Sequence, residues 1–297
     1  MAQFGRVITA MVTPFDNRGK VDYRQARKLA LALLDSGSDG LVVAGTTGEC
    51  PTLTDEEQIR LFAEVKEAVG DRGTLIAGTG SNSTHEAIEM TAEAEKLGYD
   101  AALLVVPYYN KPTQEGLYQH FKAVADSTKL PLILYNVPSR TITNLAAETM
   151  IRLSKIKNIA GVKEASGNLE QVANIIENTD KDFIVYSGND GDTFPIVAMG
   201  GYGVIGVITH LVGKQVSQMV KNLLDGKMAK AAEIHHRLLP LVNAMFVISN
   251  PIPIKHALNH IGFRVGKPRL PLVEPDEKSA AAIEAILKQY KPDLKLR

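Results

Sequence analysis

Eight short apolar segments alternate with longer amphipathic segments along most of the chain, and this alternation limits the fold more than any other feature. Strands of a parallel sheet covered by helices are buried on both faces, so they read as continuous apolar runs. The predicted strands are 6–13, 40–44, 74–78, 101–107, 132–136, 159–163, 183–187 and 203–207. Eight such strands, separated by helices, predict an α/β protein with a closed (β/α)8 barrel, the TIM-barrel architecture.

The segments between the predicted strands have helical periodicity and suitable capping residues. The predicted helices are 23–36, 54–69, 83–97, 114–127, 146–154, 169–178, 193–199 and 212–225. Thr54 with Glu57, and Ser83 with Glu86, have the spacing of a capping box at a helix start. Three helices are predicted to stop at a glycine, which permits positive φ: Gly37, Gly70 and Gly98.

From about Lys227 onward the strand pattern stops, and helical patterns continue over 227–244, 253–260 and 276–289. We therefore predict a barrel of residues 1–226 and a C-terminal helical region, 227–297, packed on it. A doubly wound open sheet is the main structural alternative, because it shows the same alternation of strands and helices. The sequence disfavours it, since no Gly-x-Gly-x-x-Gly fingerprint follows the first strand.

Charge and cysteine content narrow the function classes. Lysine plus arginine and aspartate plus glutamate both total 33 in 297 residues, so no overall field points to nucleic acid or to an anionic membrane surface. Cys50 is the only cysteine, which excludes an internal disulfide and fits a reducing compartment. Neither a signal-peptide pattern nor an apolar stretch of about 18 residues is found. We expect a cytoplasmic protein with a small ligand.

Polar residues follow several predicted strands directly. In a barrel, the C-terminal strand ends point into one mouth, so side chains that are distant in sequence meet there. Such residues end the second, fourth, fifth and sixth strands, in the segments 45–49, 107–110, 135–140 and 163–164. These strand ends hold the candidate site residues.

Lys163 has the most informative position among them. The apolar run 159–162 should carry its ammonium into a partly dry mouth, where desolvation favours the neutral amine, a carbonyl nucleophile. The alternative is a lysine whose stem lines the barrel while its head reaches solvent or pairs with Glu49 or Glu164. Spacing alone leaves both interpretations open.

Four further residues are candidates, each with a simpler alternative. Tyr135 could relay protons near the Lys163 amine, or it could be a rim aromatic. Thr46 and Thr47 offer hydroxyls and turn amides to a carboxylate or oxyanion, although they could also form an ordinary turn. Arg140 could clamp a carboxylate through two hydrogen bonds, or it could be a solvated loop arginine.

A phosphate site is disfavoured. The segments 188–191 and 200–203 are rich in glycine and lie where many barrels bind phosphate. Between Lys181 and Lys214, however, there is no lysine or arginine, and a phosphate would also meet several aspartates.

Histidine spacing gives little support for a metal. His256 and His260 are four residues apart on a predicted helix, but Ala257 stands where the zinc-peptidase motif has glutamate. We interpret this pair as a surface helix face. His235 and His236 are adjacent and do not share a helix face. We expect neither a metal requirement nor a cofactor.

Nearly the whole chain, from 5–15 to the C-terminal helices, resembles the dihydrodipicolinate synthase and N-acetylneuraminate lyase group of class I pyruvate-dependent aldolases. The group is indicated by Gly-Thr-Thr-Gly-Glu at 45–49, by Tyr135 and by Lys163. The segments 107–112 and 135–141 look like the synthase branch of that group. Arg140 is the telling residue, because in the synthases the matching arginine meets the carboxylate of aspartate semialdehyde.

The resemblance implies a reaction and a set of roles. Lys163 would form an imine with pyruvate, and the derived enamine would attack L-aspartate 4-semialdehyde, giving 4-hydroxy-tetrahydrodipicolinate for diaminopimelate and lysine biosynthesis. The implied proton relay is Tyr135, Thr46 and Tyr109, and the implied substrate contacts are Thr47, Arg140, Gly188 and the backbone at Ile205. The family tyrosine at Tyr109 reaches the site of a neighbouring subunit, which implies a homo-oligomer, commonly a tetramer of two tight dimers.

Regulation by lysine is also suggested by the resemblance, but only in part. Asn82, Glu86 and Tyr108 match the site at which L-lysine inhibits some synthases. The chain departs from the strongly inhibited members in a second set of positions, Asp55, Gln58, Cys50 and Pro51. We therefore expect weak lysine feedback or none.

Three alternatives remain at this point. Another aldolase of the same group could act on a sugar acid or a hydroxy-oxoacid. A barrel that had lost catalysis would lack the lysine, tyrosine or threonine, and none is missing here. A metal-dependent class II aldolase would need a histidine and carboxylate cluster at the strand ends, which the sequence does not show.

Overall fold

The protein forms a closed parallel barrel. It was studied as a computed structural model, which describes residues 4–295. The strands are β1 Val7–Ala10, β2 Gly40–Val43, β3 Thr74–Gly78, β4 Ala101–Val105, β5 Leu132–Asn136, β6 Ile159–Glu164, β7 Ile184–Ser187 and β8 Gly203–Gly206. Each strand pairs in parallel with the next, and β8 pairs with β1. The predicted (β/α)8 barrel is confirmed, and the open-sheet alternative is wrong because no strand of this sheet is an edge.

Helices surround the barrel and continue past it. They are α1 Tyr23–Asp35, α2 Asp55–Val69, α3 Thr84–Lys96, α4 Gln114–Ser127, α5 Pro138–Thr141, α6 Ala147–Leu153, α7 Leu169–Asn178, α8 Thr193–Ala198, α9 Thr209–Leu224, α10 Met228–Met245, α11 Ile252–His260 and α12 Glu277–Leu287. The positions of the predicted helices are confirmed to within a few residues. The sequence pattern did not predict α5, a single turn that begins at a proline, where the missing N–H costs nothing.

Several element boundaries differ from the prediction for physical reasons. The first apolar run continues to Thr13, but β1 ends at Ala10; Met11 still donates to the Val42 carbonyl at 3.0 Å, and the residues after it stay buried outside the strand. The fourth strand ends before Pro107, which has no N–H to donate. The predicted start of the eighth barrel helix, Val212, is instead a kink inside α9, with φ −131° and ψ 39°.

The predicted caps are present in part. Thr54 and Glu57 make both bonds of the capping box at α2. Ser83 accepts a hydrogen bond from the backbone of Glu86 at α3, but the Glu86 carboxylate accepts from the Ser81 hydroxyl at 2.7 Å. The three predicted helix stops have positive φ: Gly37 at 107°, Gly70 at 57° and Gly98 at 73°.

The core has two layers, as barrel geometry requires. Inside the barrel, alternate strand residues form one apolar cluster, which includes Ile8, Val42, Ile76, Ile133 and Ile205. A larger cluster fills the space between the strands and the helices. Every strand is therefore buried on both faces, which explains why the strands read as continuous apolar runs.

The C-terminal helices share the outer core. Leu241, Met245, Ile254, Leu258 and Ile283, from α10 to α12, belong to the same buried cluster as the barrel helices. This packing brings α11 and the turn before it to the barrel mouth. Within residues 4–295, no helix combines the length and apolar character needed to cross a membrane.

Candidate active site

Lys163 lies at the C-terminal end of β6 and faces into the barrel mouth. In the strand register, it pairs with Tyr135 on β5 and with Tyr186 on β7. Its Nζ lies 4.2 Å from the centroid of the Tyr135 ring. Only 5% of the lysine is exposed, so the amine is held among strand residues and away from bulk water.

Burial favours the neutral form of the Lys163 amine. Desolvation lowers its pKa to about 8; the nearby Asp190 carboxylate opposes this shift, and Arg140 reinforces it. At pH 8 about half of such amines are neutral, against roughly 0.4% for a lysine with the usual pKa near 10.4. The neutral amine is the form that attacks a carbonyl.

The structure does not support the simpler interpretation of Lys163. Glu49 is paired elsewhere, with Lys255, at an Oε1 to Nζ distance of 2.7 Å. Glu164 accepts hydrogen bonds from the Asn136 side chain at 3.1 and 3.2 Å. Neither carboxylate forms an ion pair with Lys163 in the described part of the chain, and its head does not reach solvent.

Tyr135 lies beside this amine and hydrogen-bonds with Thr46. Burial raises the pKa of Tyr135 to about 12, although the Arg140 charge and a hydrogen bond with Thr46 both oppose that rise. The phenol therefore keeps its proton at neutral pH and can donate it to a developing alkoxide. Thr46 is half-buried in the turn after β2, so its hydroxyl can exchange protons both with the Tyr135 phenol and with solvent or a ligand in the barrel mouth.

Thr47 is held by a residue that the sequence analysis missed, Asn250. The Asn250 Nδ2 donates to the Thr47 Oγ1 at 2.9 Å, which leaves the hydroxyl proton of Thr47 free to donate to a ligand. The Asn250 Oδ1 is buried and has no hydrogen-bond partner in the described structure. A buried acceptor without a partner at a candidate site can accept a hydrogen bond from a bound ligand.

Arg140 lies on α5, above the mouth, and is exposed. Its Nη2 donates to the backbone carbonyl of Asn250 at 3.0 Å. The rest of the guanidinium fork stays available to a carboxylate. Its charge lowers the pKa of both Lys163 and Tyr135, so the guanidinium lies within electrostatic range of both side chains.

The ends of β7 and β8 complete the mouth. A Cβ on Gly188 would come within 2.7 Å of the Ala165 Cβ and 3.1 Å of the Lys163 Cγ, so a glycine here lets the end of β6 and the lysine stem pack closely. Ile205 is fully buried in β8, paired with Ile8 of β1. Asp190, whose pKa is raised to about 6 by burial, accepts from the backbone of Val207 at 2.9 Å.

Of the residues predicted for the active site, Tyr109 is the one that the structure does not bring to the barrel mouth. Tyr109 is 89% exposed and has φ of 72°, so within one chain its ring does not pack into the barrel mouth. Asp190 was not among the residues predicted for the mouth, although its carboxylate acts on the Lys163 amine. Asn250 was not predicted because it follows no strand. The only local signal is Pro251 after it, which indicates a turn and not a binding site.

The residues that match the lysine site of some synthases lie outside the barrel mouth. Glu86 and Tyr108 line a cavity of about 610 Å³, together with the four positions that depart from the inhibited synthases: Cys50, Pro51, Asp55 and Gln58. Asn82 donates to the backbone carbonyl of Tyr108 at 3.2 Å. Gln58 is already engaged, since its amide donates to the Gly78 carbonyl at 2.7 Å.

Comparison with known proteins identifies what the chain is similar to. The family model described as Dihydrodipicolinate synthetase family matches residues 3–290. A 4-hydroxy-tetrahydrodipicolinate synthase of Dehalococcoides mccartyi is 64% identical over 297 residues, covering 100% of both chains. The Moorella thermoacetica synthase is 57% identical, over 95% of this chain and 98% of its own.

Solved structures agree with this similarity. A dihydrodipicolinate synthase from Bacillus anthracis is 44% identical with a TM-score of 0.95, over 98% of this chain and 99% of that one. The enzyme from Cyanidioschyzon merolae, solved with lysine bound, is 48% identical with a TM-score of 0.95, over 96% of this chain and 97% of that one.

Proposed function

The chain belongs to the dihydrodipicolinate synthetase family, and we propose that it condenses pyruvate with L-aspartate 4-semialdehyde through an imine on Lys163. The enzyme is a lyase of the class I aldolase type, and it acts in diaminopimelate and lysine biosynthesis. One observation carries the assignment of the nucleophile: a buried lysine with a pKa of about 8 faces a tyrosine in the mouth of a closed barrel.

The chemistry begins at the neutral Lys163 amine. It attacks the keto carbon of pyruvate, and the carbinolamine loses water to give the imine after Tyr135, with Thr46, supplies a proton to the departing oxygen. Loss of a methyl proton gives an enamine, whose carbon attacks the aldehyde carbon of the semialdehyde. The amino group of the semialdehyde then attacks the imine carbon, closing the ring and releasing the Lys163 amine.

The remaining residues bind and orient the two substrates. The Thr47 hydroxyl, Gly188 and the backbone at Ile205 hold the carboxylate of pyruvate, and Asn250 fixes Thr47. Arg140 binds the carboxylate of the semialdehyde with the part of its fork that Asn250 does not use. No step calls for a metal or another cofactor, and full activity after chelation stays a prediction.

Replacing Arg140 tests the identity of the second substrate. An Arg140→Ala variant is expected to have a KM for L-aspartate 4-semialdehyde roughly 10- to 100-fold higher, because hydrogen bonds to a charged group are lost. Steady-state kinetics with a panel of aldehydes would measure this, with Arg152→Ala as a control on an exposed arginine. Faster turnover of a sugar-acid aldehyde by the unaltered enzyme would instead support a related aldolase.

Tyr109 suggests an oligomer. Its exposed ring and positive φ are understandable if it enters the site of a neighbouring subunit, as in the family. We propose a tetramer of two tight dimers, located in the cytoplasm. The division into a barrel, 1–226, and a helical region, 227–297, is likewise our proposal, supported by the point at which the strands stop.

A Tyr109→Phe variant is expected to lose about 100-fold in kcat and to form the pyruvate imine as before. The reason is that a proton-relay hydroxyl contributes to turnover but not to capture of the first substrate. Tyr108→Phe, in the same loop, is the matched control and should stay active. An unchanged rate for Tyr109→Phe would refute its role.

L-Lysine is expected to leave the initial rate nearly unchanged. No histidine of the described chain lines the cavity at Glu86 and Tyr108. By the family resemblance, strongly inhibited synthases have histidines where this chain has Asp55 and Gln58, and a pair of small residues where it has Cys50 and Pro51. A titration of L-lysine against the initial rate would measure the effect. A steep loss of activity at low lysine concentration would show that this cavity binds lysine in spite of these departures.

A further inference from the structure

We propose that His256, His260 and Glu284 bind a divalent transition-metal ion, represented by Zn²⁺, where α11 meets α12. The His256 Nε2 lies 3.1 Å from the Glu284 Oε1, and the His260 Nδ1 lies 3.3 Å from the same oxygen. One ligand atom from each of the three side chains lies within 4.8 Å of the other two. Two imidazoles and a carboxylate form a common zinc ligand set.

The spacing fits a tetrahedral ion. Zinc binds histidine nitrogen and carboxylate oxygen at about 2.0–2.1 Å, so neighbouring ligand atoms of a tetrahedral site lie about 3.3–3.4 Å apart. Both nitrogen-to-oxygen distances, 3.1 and 3.3 Å, are already close to that value. Only the separation between the two histidine nitrogens must shorten, by at most about 1.5 Å, which side-chain rotation can supply.

The surroundings leave room for a further ligand. The side chains of His256, His260 and Glu284 are 23%, 36% and 34% exposed, so the ligand atoms are ordered by packing and still reachable from solvent. A cavity of about 270 Å³ is lined by both histidines and by Glu274. Water can therefore occupy the fourth position of the ion.

The location indicates a stabilising role and not a catalytic one. The residue before His256 is Lys255, which donates to Glu49 in the segment that carries Thr46 and Thr47. An ion held by α11 and α12 would fasten the C-terminal helix to the helix that supports this segment. The surface-face interpretation of His256 and His260 did not include Glu284, which comes 24 positions after the second histidine.

Zinc titration of metal-free, untagged protein tests the proposal directly. Calorimetry with ZnCl2 is expected to show about one ion per chain, and a Co²⁺ titration should show the visible absorption of a tetrahedral site. His260→Ala and Glu284→Gln, both in partly exposed positions that tolerate change, should each weaken zinc binding at least tenfold. At zinc concentrations about 100 times the dissociation constant, the melting temperature should rise by about 5 °C.

His85→Ala is the matched control. His85 and Glu89 form an exposed pair four residues apart at 3.3 Å, and the described structure gives them no third ligand. This variant should bind zinc as the unaltered protein does. Absence of zinc binding by the unaltered protein, or unchanged affinity in both His260→Ala and Glu284→Gln, would overturn the proposal and leave a hydrogen-bonded surface cluster.

Discussion

A Lys163→Met variant is expected to lose kcat/KM by a factor on the order of 10⁴ or more, because the amine that forms the imine is removed. Methionine has a similar length and no charge, so it suits a position that is only 5% exposed. Steady-state kinetics with both substrates would measure the loss, and circular dichroism would show that the fold is kept.

Lys157→Arg provides the matched control. Lys157 is exposed and lies two residues before β6, whereas Lys163 is buried near the C-terminal end of β6. The control should keep full activity. A folded Lys163→Met variant with substantial turnover would show that the reaction does not pass through this amine.

Replacing Lys255 is expected to cause the largest loss of stability. Lys255 and Glu49 form an ion pair with side chains only 1% and 0% exposed, and the lysine Nζ also donates to the carbonyls of Thr13 and Lys267. In Lys255→Met the Glu49 carboxylate is left buried without its cation. Removing one partner of such a pair costs about 3–5 kcal/mol, or roughly 10 °C in melting temperature.

A double variant separates the cost of the unpaired Glu49 charge from the loss of the other Lys255 contacts. Glu49→Gln combined with Lys255→Met removes the unpaired charge and keeps an acceptor for the Arg269 N–H, which bonds Glu49 at 2.8 Å. We expect this double variant to melt at a higher temperature than Lys255→Met alone. Lys267→Met, which breaks an exposed pair with Glu274, should change the melting temperature little. Equal losses of melting temperature in Lys255→Met and Lys267→Met would contradict this account.

The sequence predicted the parts of the site that follow from the barrel itself. Lys163 and Tyr135 end apolar runs, and parallel strand ends meet in one mouth, so their proximity follows from local pattern and topology. The burial and lowered pKa of Lys163 agree with the desolvation argument made from its flanking residues. The resemblance added the role of Tyr109 and the identity of the carboxylate that Arg140 would bind, which no local pattern could supply.

The remaining contacts could not be predicted, because they depend on tertiary packing. Asn250 bonds Thr47 from 203 positions away, and Lys255 reaches Glu49 from 206. Neither follows a barrel strand, and both depend on how α11 docks on the mouth. Glu284 meets two histidines only because α12 packs against α11. Helical periodicity indicates which face of a helix is buried, but not what it meets.

Trapping the imine is the most direct test of the central claim. The protein is incubated with pyruvate and borohydride, and its intact mass and peptide map are measured, since reduction converts an imine into a stable secondary amine. We expect one adduct per chain, on Lys163, and none on Lys163→Met. A folded protein that gains no adduct, or that gains it on another lysine, would contradict the mechanism.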